Sequence, residues 1–147
     1  MQKLGKQTIK FDTPPVITEV ASIVGPKEAN GPLAKYFDKC LEDEFWGEKT
    51  WEKSESKIIK ETVNAVISKS GIASSEIEYC FAGDLLNQCI SSSFGLRELN
   101  IPFLGIFGAC STFVEGLSLG AIVTEACAKH VLCAASSHFC SAEKQYR

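Results

Sequence analysis

The chain has 147 residues, 45% of them apolar and 22% charged, with a formal net charge of −3. That balance belongs to a globular chain with a real core, standing as one domain or as part of a larger one. It excludes an intrinsically disordered polymer, a basic nucleic-acid footprint and nonspecific attraction to anionic membranes. No apolar stretch reaches the length of a membrane span without polar interruption. The opening residues, Met-Gln-Lys-Leu-Gly-Lys-Gln-Thr, have no apolar core of the signal-peptide type. A membrane location would therefore require a partner.

Residues 1–15 are polar, end in Pro14-Pro15 and read as an extended N-terminal arm. Val16 to Val24 is β-branched and bounded by prolines and Gly25, which predicts a strand. Gly25-Pro26 to Gly31-Pro32 is a loop. Leu33 to Leu41 has apolar residues at helical spacing and predicts a short helix. The acidic run Glu42-Asp43-Glu44 reads as a solvated face rather than a metal site. Trp51 to Ser70 is the clearest amphipathic helix, with Ile58-Ile59, Thr62-Val63 and Val66-Ile67 forming one stripe. Thr50 is its N-cap and Gly71 its stop.

Ile77 to Gly83 predicts a second strand, followed by the polar cluster Asp84, Asn87 and Gln88 and a short helix ending near Asn100. Pro102 opens a third strand. It leads into Gly108-Ala109-Cys110-Ser111-Thr112 and then into a helix, apolar almost all round, expected to be buried and to end near Lys129. His130 to Ser136 is a fourth strand, finishing in Ser136-Ser137-His138. Alternating strands and helices predict an α/β fold with a mostly parallel sheet and helices on both faces. In such sheets ligands bind beyond the carboxyl ends of the strands. Here three of those ends carry polar clusters, which are expected to converge.

Seven cysteines, at 40, 80, 89, 110, 127, 133 and 140, form no C-x-x-C pair and no Cys/His group at zinc spacing. They point to a reducing, cytosolic-side compartment, and six of them read as packing residues. Cys110 differs. A strand–turn–helix reading places its thiol where backbone N–H groups lack intrahelical partners and the helix dipole is positive. That position favours a thiolate, and equally a bound carboxylate. Cysteine usually packs as a small hydrophobe, so both readings stand. Asp84 reads as readily as a helix cap, Asn87 and Gln88 as groups satisfying loop backbone, and His138 as a surface histidine.

Gly25-Pro26-Lys27-Glu28, Ala82-Gly83-Asp84-Leu85-Leu86-Asn87-Gln88, Ile101-Pro102-Phe103-Leu104, Phe107 to Thr112, Ser136-Ser137-His138 and Ala142-Glu143-Lys144-Gln145 closely resemble the stage V sporulation protein AD family of spore-forming bacteria. The resemblance runs from the arm to the last residue. It implies a thiolase-like α/β/α layered half-domain over residues 16–147, with a mixed, mostly parallel sheet, truncated before its last strand and lacking the C-terminal half. It also implies binding of dipicolinic acid without turnover, within the system that moves dipicolinate into the forespore and out during germination. Cys110, Ser111, Thr112, Asp84, Asn87, Gln88, Ser136, Ser137 and His138 are then the ligand-binding candidates. No cofactor is implied, although Ca²⁺ can accompany dipicolinate.

The same resemblance implies as partners the other SpoVA membrane subunits, the chain's own C-terminal half and a second copy of the protein, with no nucleic acid. Its implied location is the cytosolic side of the spore inner membrane, as a peripheral protein. Two alternatives remain open. One is a thiolase-like or ketoacyl-synthase-like acyltransferase with Cys110 as nucleophile. The other is a structural adaptor with a relic pocket.

Overall fold

The computed structural model describes residues 1–85 and 89–137. The chain opens with an antiparallel hairpin, β1 (Gln2–Leu4) and β2 (Thr8–Lys10), with Gln2 opposite Lys10. The predicted arm is thus folded on itself: Gly5, at φ +62, supplies the left-handed residue of the reversal. The N-terminal ammonium pairs with the carboxylates of Asp12 and Glu125. Glu125 also accepts from the Asp12 backbone N–H at 3.1 Å, tying the arm to the body.

The predicted strand at Val16–Val24 is largely overturned. Only Ile23–Val24 forms a strand, β3, pairing in parallel with β4 (Lys39–Cys40). β-Branched residues express strand propensity when a neighbouring strand supplies a half-buried surface. Val16, Ile17 and Val20 have none among the described residues and are exposed. Polar anchors hold this segment: the Ser22 N–H donates to Asp38 at 2.8 Å, and Lys69 Nζ donates to the Val20 carbonyl at 2.6 Å. A one-turn helix, α1 (Pro26–Ala29), starts on Pro26, whose fixed φ suits the first helical position.

The predicted helix at Leu33–Leu41 is also corrected. A 3₁₀ turn at Ala34–Tyr36 gives way to β4, because Phe37 is extended and Asp38 is held across to Ser22. By contrast, α2 (Trp51–Ser70) matches its prediction. Thr50 Oγ1 accepts from the Lys53 N–H at 3.3 Å, and Gly71 ends the helix at φ +66.

Among the described residues the largest sheet is wholly parallel. β5 (Tyr79–Asp84) lies between β6 (Phe103–Gly105) and β7 (Val131–Ser136). α2 and α3 (Ile90–Leu96) cover one face, where Ile59, Val63, Leu96, Ile77, Cys80, Ala82 and Leu132 form the core. α4 (Thr112–Ala126) covers the other. Successive strand residues point to opposite faces, so Cys80 and Ala82 serve the first side while Phe81 and Gly83 serve the second. The architecture is mixed α/β, with mostly parallel pairing and helices on both faces of the sheet.

The helix expected to be buried all round is buried on one narrow stripe. Thr112, Gly116 and Gly120 are buried, while Phe113, Val114 and Leu119 are exposed, and the helix stops at Ala126. Glycines four apart bring the helix backbone down onto β5 and β7, so little else of α4 can reach the sheet. Cys80 and Cys89 are buried and Cys133 half-buried, as packing residues should be; Cys40 and Cys127 are exposed. Cys40 sits on the peripheral β3–β4 pair and Cys127 just beyond α4, neither against the core. Cys140 lies outside the described residues. No helix among the described residues is long and apolar enough to cross a membrane.

Candidate functional site

The site is built where β5, β6 and β7 end. Parallel register sets the last residue of β5, Asp84, beside the last residue of β7, Ser136. The segment after β6 is drawn against β5: the Ile106 N–H donates to the Ala82 carbonyl at 2.9 Å. Gly83 makes this approach possible. A Cβ there would lie 1.8 Å from the Ile106 carbonyl oxygen and 2.9 Å from Thr112 Cγ2. The Cys89 thiol adds a contact to the same carbonyl at 3.2 Å.

The turn is tight. Ala109 takes a left-handed conformation, φ +51, which costs strain in a residue with a Cβ. The Gly108 N–H donates to Thr112 Oγ1 at 3.1 Å, and the Ser111 N–H donates to the Gly108 carbonyl at 3.0 Å. The Ser111 hydroxyl sits between the Gly108 carbonyl and Glu115. Thr112 is buried as a brace of the turn, and Ser111 is held by its own neighbours. Cys110 is the exposed thiol of the turn, two residues before α4 starts at Thr112.

Opposite the turn are two buried carboxylates. Asp84, 1% exposed, accepts from the Ser92 N–H at 2.7 Å and from the Ser92 hydroxyl at 2.6 Å. The residue preceding α3, Cys89, is left-handed at φ +70 and offers no side-chain cap. Asp84 therefore satisfies one of α3's orphan donors from eight residues upstream. Glu55 of α2, also 1% exposed, accepts the Ser136 hydroxyl proton at 2.9 Å. The Ser56 hydroxyl donates to the Ser91 carbonyl at 3.1 Å, so α2 and α3 are joined beneath the strand ends.

Of the sequence candidates, Asp84, Ser136, Cys110, Ser111 and Thr112 come to this one end of the sheet, and Ser137 follows Ser136 at the surface. Asn87, Gln88 and His138 lie outside the described residues. Sequence reasoning missed Glu55, Ser92 and Glu115. Glu55 had a signal: it stands four residues before Ile59 and eight before Val63, on the apolar stripe of α2.

Two inward thiols, Cys80 and Cys133, are ill suited to nucleophilic work. Burial, with Cys133 nearby, pushes the Cys80 thiol up to about 12, and burial pushes Cys133 up to about 11. A groove of about 460 Å³ runs between residues 15–21, α2, α4 and β7. Cys110, Asp84 and Ser136 do not line it, so it is a separate feature. Among the described residues no group of three or more His, Cys, Asp or Glu could hold a metal ion.

The family model for stage V sporulation protein AD (SpoVAD) matches residues 5–147. The whole chain is 39% identical to stage V sporulation protein AD of Bacillus subtilis (strain 168), and covers 44% of that protein. The chain thus spans less than half the length of this relative. Match and identity together cover the arm, the sheet and the strand-end site, and the chain belongs to the stage V sporulation protein AD family.

Proposed function

We propose that this chain supplies the strand-end part of a site that binds dipicolinic acid, alone or with Ca²⁺, without turning it over. The reading includes a thiolase-like half-domain completed by a C-terminal half. It makes the protein a subunit of the spore's dipicolinate uptake and release system, peripheral to the cytosolic side of the inner membrane, alongside SpoVA membrane subunits and with homodimerisation. One observation carries it: in a sporulation-family chain, the exposed Cys110 turn shares one sheet end with Asp84 and Ser136.

The chemistry is compatible. A flat dicarboxylate can take N–H groups from the turn that opens α4, with the Cys110 thiol beside them. Asp84 and Glu55 disfavour a bare dianion and favour a ligand that arrives protonated or with a cation. Asn87, Gln88, Ser137 and His138 complete the proposed contacts. Acyl transfer needs a base near Cys110. The histidine among the described residues is His130, which precedes β7 and so sits about 20 Å along the strand from Ser136.

The test is calorimetric titration of dipicolinate, with and without Ca²⁺, into the full native protein and its Cys110→Ala variant. Saturable binding that weakens in the variant, with the melting transition kept, is expected. Absence of binding in the wild type would overturn the reading. An acyl adduct confined to Cys110 after exposure to acyl-CoA donors would favour the acyltransferase instead.

A further inference from the structure

Glu55 is a buried carboxylate among the described residues of α2. It occupies a core position of the α2 stripe, in line with Ile59 and Val63, and is 1% exposed. A carboxylate there loses its hydration, whereas an aliphatic side chain would fill the stripe without that penalty. Its hydrogen bond from Ser136 reaches the last residue of β7, beside Asp84 and at the proposed ligand site. The neighbouring strand pairs the same two groups in reverse: there the carboxylate, Asp84, is on the strand and its donor, the Ser92 hydroxyl, on the helix.

A serine hydroxyl has one proton and two lone pairs. When the Ser136 hydroxyl donates its hydrogen bond to Glu55, the Ser136 side chain is fixed in direction and keeps only acceptor capacity. Resting on the dipicolinate reading above, we infer that Glu55 is a positioning residue of this site. It acts through Ser136, which it holds as an oriented hydrogen-bond acceptor toward the ligand. Ser136 then meets the hydrogen-bearing edge of the ligand, a carboxylic acid O–H or a water carried on a bound cation, rather than a bare carboxylate oxygen.

The experiment is a double-mutant cycle in the full native protein, with dipicolinate plus Ca²⁺ as the probe and a thermal melt for each variant. Glu55→Leu fills the same core position and removes the acceptor. If its melt is lost, Glu55→Ala takes its place. Glu55→Gln keeps the shape and an acceptor oxygen. Ser136→Ala and Glu55→Leu are each expected to weaken binding roughly tenfold, and the pair together by the same roughly tenfold, since one removes the other's route. Glu55→Gln should stay within about threefold of wild type. A double variant weakened roughly a hundredfold would show independent action and overturn the inference. So would a Glu55→Leu or Ser136→Ala protein that binds like wild type, or a Glu55→Gln protein as weak as Glu55→Leu. A wild type that binds no dipicolinate defeats the site reading itself, and the first titration separates that result from the others.

Discussion

The two faces of the central sheet are packed by opposite means. On the α2–α3 face, bulky side chains fill the space: Ile59 is 2% exposed, and Val63, Leu96, Ile77 and Leu132 close around Cys80 and Ala82. On the α4 face, the space has been removed instead. Gly116 and Gly120 set the helix backbone close to Phe81, Val131 and Cys133, and Gly83 lets the Ile106 carbonyl press against β5. The larger α4 side chains Phe113, Val114 and Leu119 point outward. The first face provides cohesion through apolar burial. The second trades side-chain volume for backbone proximity, and that proximity seats the Cys110 turn at the end of β5.

The comparison breaks most sharply at Gly83. Gly83→Ala would place a Cβ 1.8 Å from a backbone oxygen that no rotamer change can relocate. The expected result is failure to fold, or a loss above about 4 kcal/mol in urea unfolding. Gly120→Ala meets the Cys133 sulfur at 2.7 Å and should cost about 1–3 kcal/mol, because a side chain yields more easily than backbone. If the two cost the same, proximity is not what distinguishes this face.

Next comes the filled face. Ile59→Ala removes a nearly fully buried side chain from the centre of the core and should cost about 3 kcal/mol by the same measurement. A cost below about 1 kcal/mol would mean that α2 is seated by its polar anchors rather than by its stripe.

Two of the inward thiols, Cys80 and Cys133, sharpen the contrast through pH. Cys80, on the filled face, is pushed up to about 12 from an ordinary 9.0; Cys133, against the glycines of α4, is pushed up to about 11. Below pH 9 both thiols are neutral in the folded and unfolded states and contribute no slope. Above it the unfolded chain gives up these protons first and binds fewer than the native one. Stability therefore falls with rising pH, from about 9 to about 12 for Cys80 and from about 9 to about 11 for Cys133. Each thiol contributes at most about 1.4 kcal/mol per pH unit. Urea midpoints across that range should flatten more in Cys80→Ala than in Cys133→Ala.

The filled face was the legible one. α2 announces itself by a four-residue period, a threonine cap and a terminal glycine, all local signals, and the structure keeps each of them. The parallel strands were legible from short apolar runs between turns. What failed depended on partners. Val16–Val20 has strand-forming residues but no neighbour among the described residues to pair with, and Leu33–Leu41 has helical spacing but yields to the pull of Asp38 on Ser22. The turn at Cys110 could be placed from sequence, since Gly108, Ala109 and Thr112 mark the strand-to-helix junction. The roles of its hydroxyls could not, because Ser111 and Thr112 bond within the turn and Ser136 to a residue 81 positions away. Glu55 was hidden because an acidic residue in a helix is usually read as solvated, even when its spacing puts it on the buried stripe.

The smallest expected effect lies on the outer side of α4. Val114 is 64% exposed, so Val114→Ala should change stability by less than about 0.5 kcal/mol. The apolar composition of this helix, taken alone, argues for burial all round and a cost nearer that of Ile59→Ala. The glycine stripe explains the difference: a helix seated by its backbone buries a narrow band and leaves its large side chains outside. Urea unfolding of the full native protein therefore decides between two pictures. A negligible cost leaves the outer face of α4 open, as it is here. A cost of about 2 kcal/mol or more would mean that native assembly covers Val114, so that the α4 face, like the α2 face, is finally held by side-chain burial.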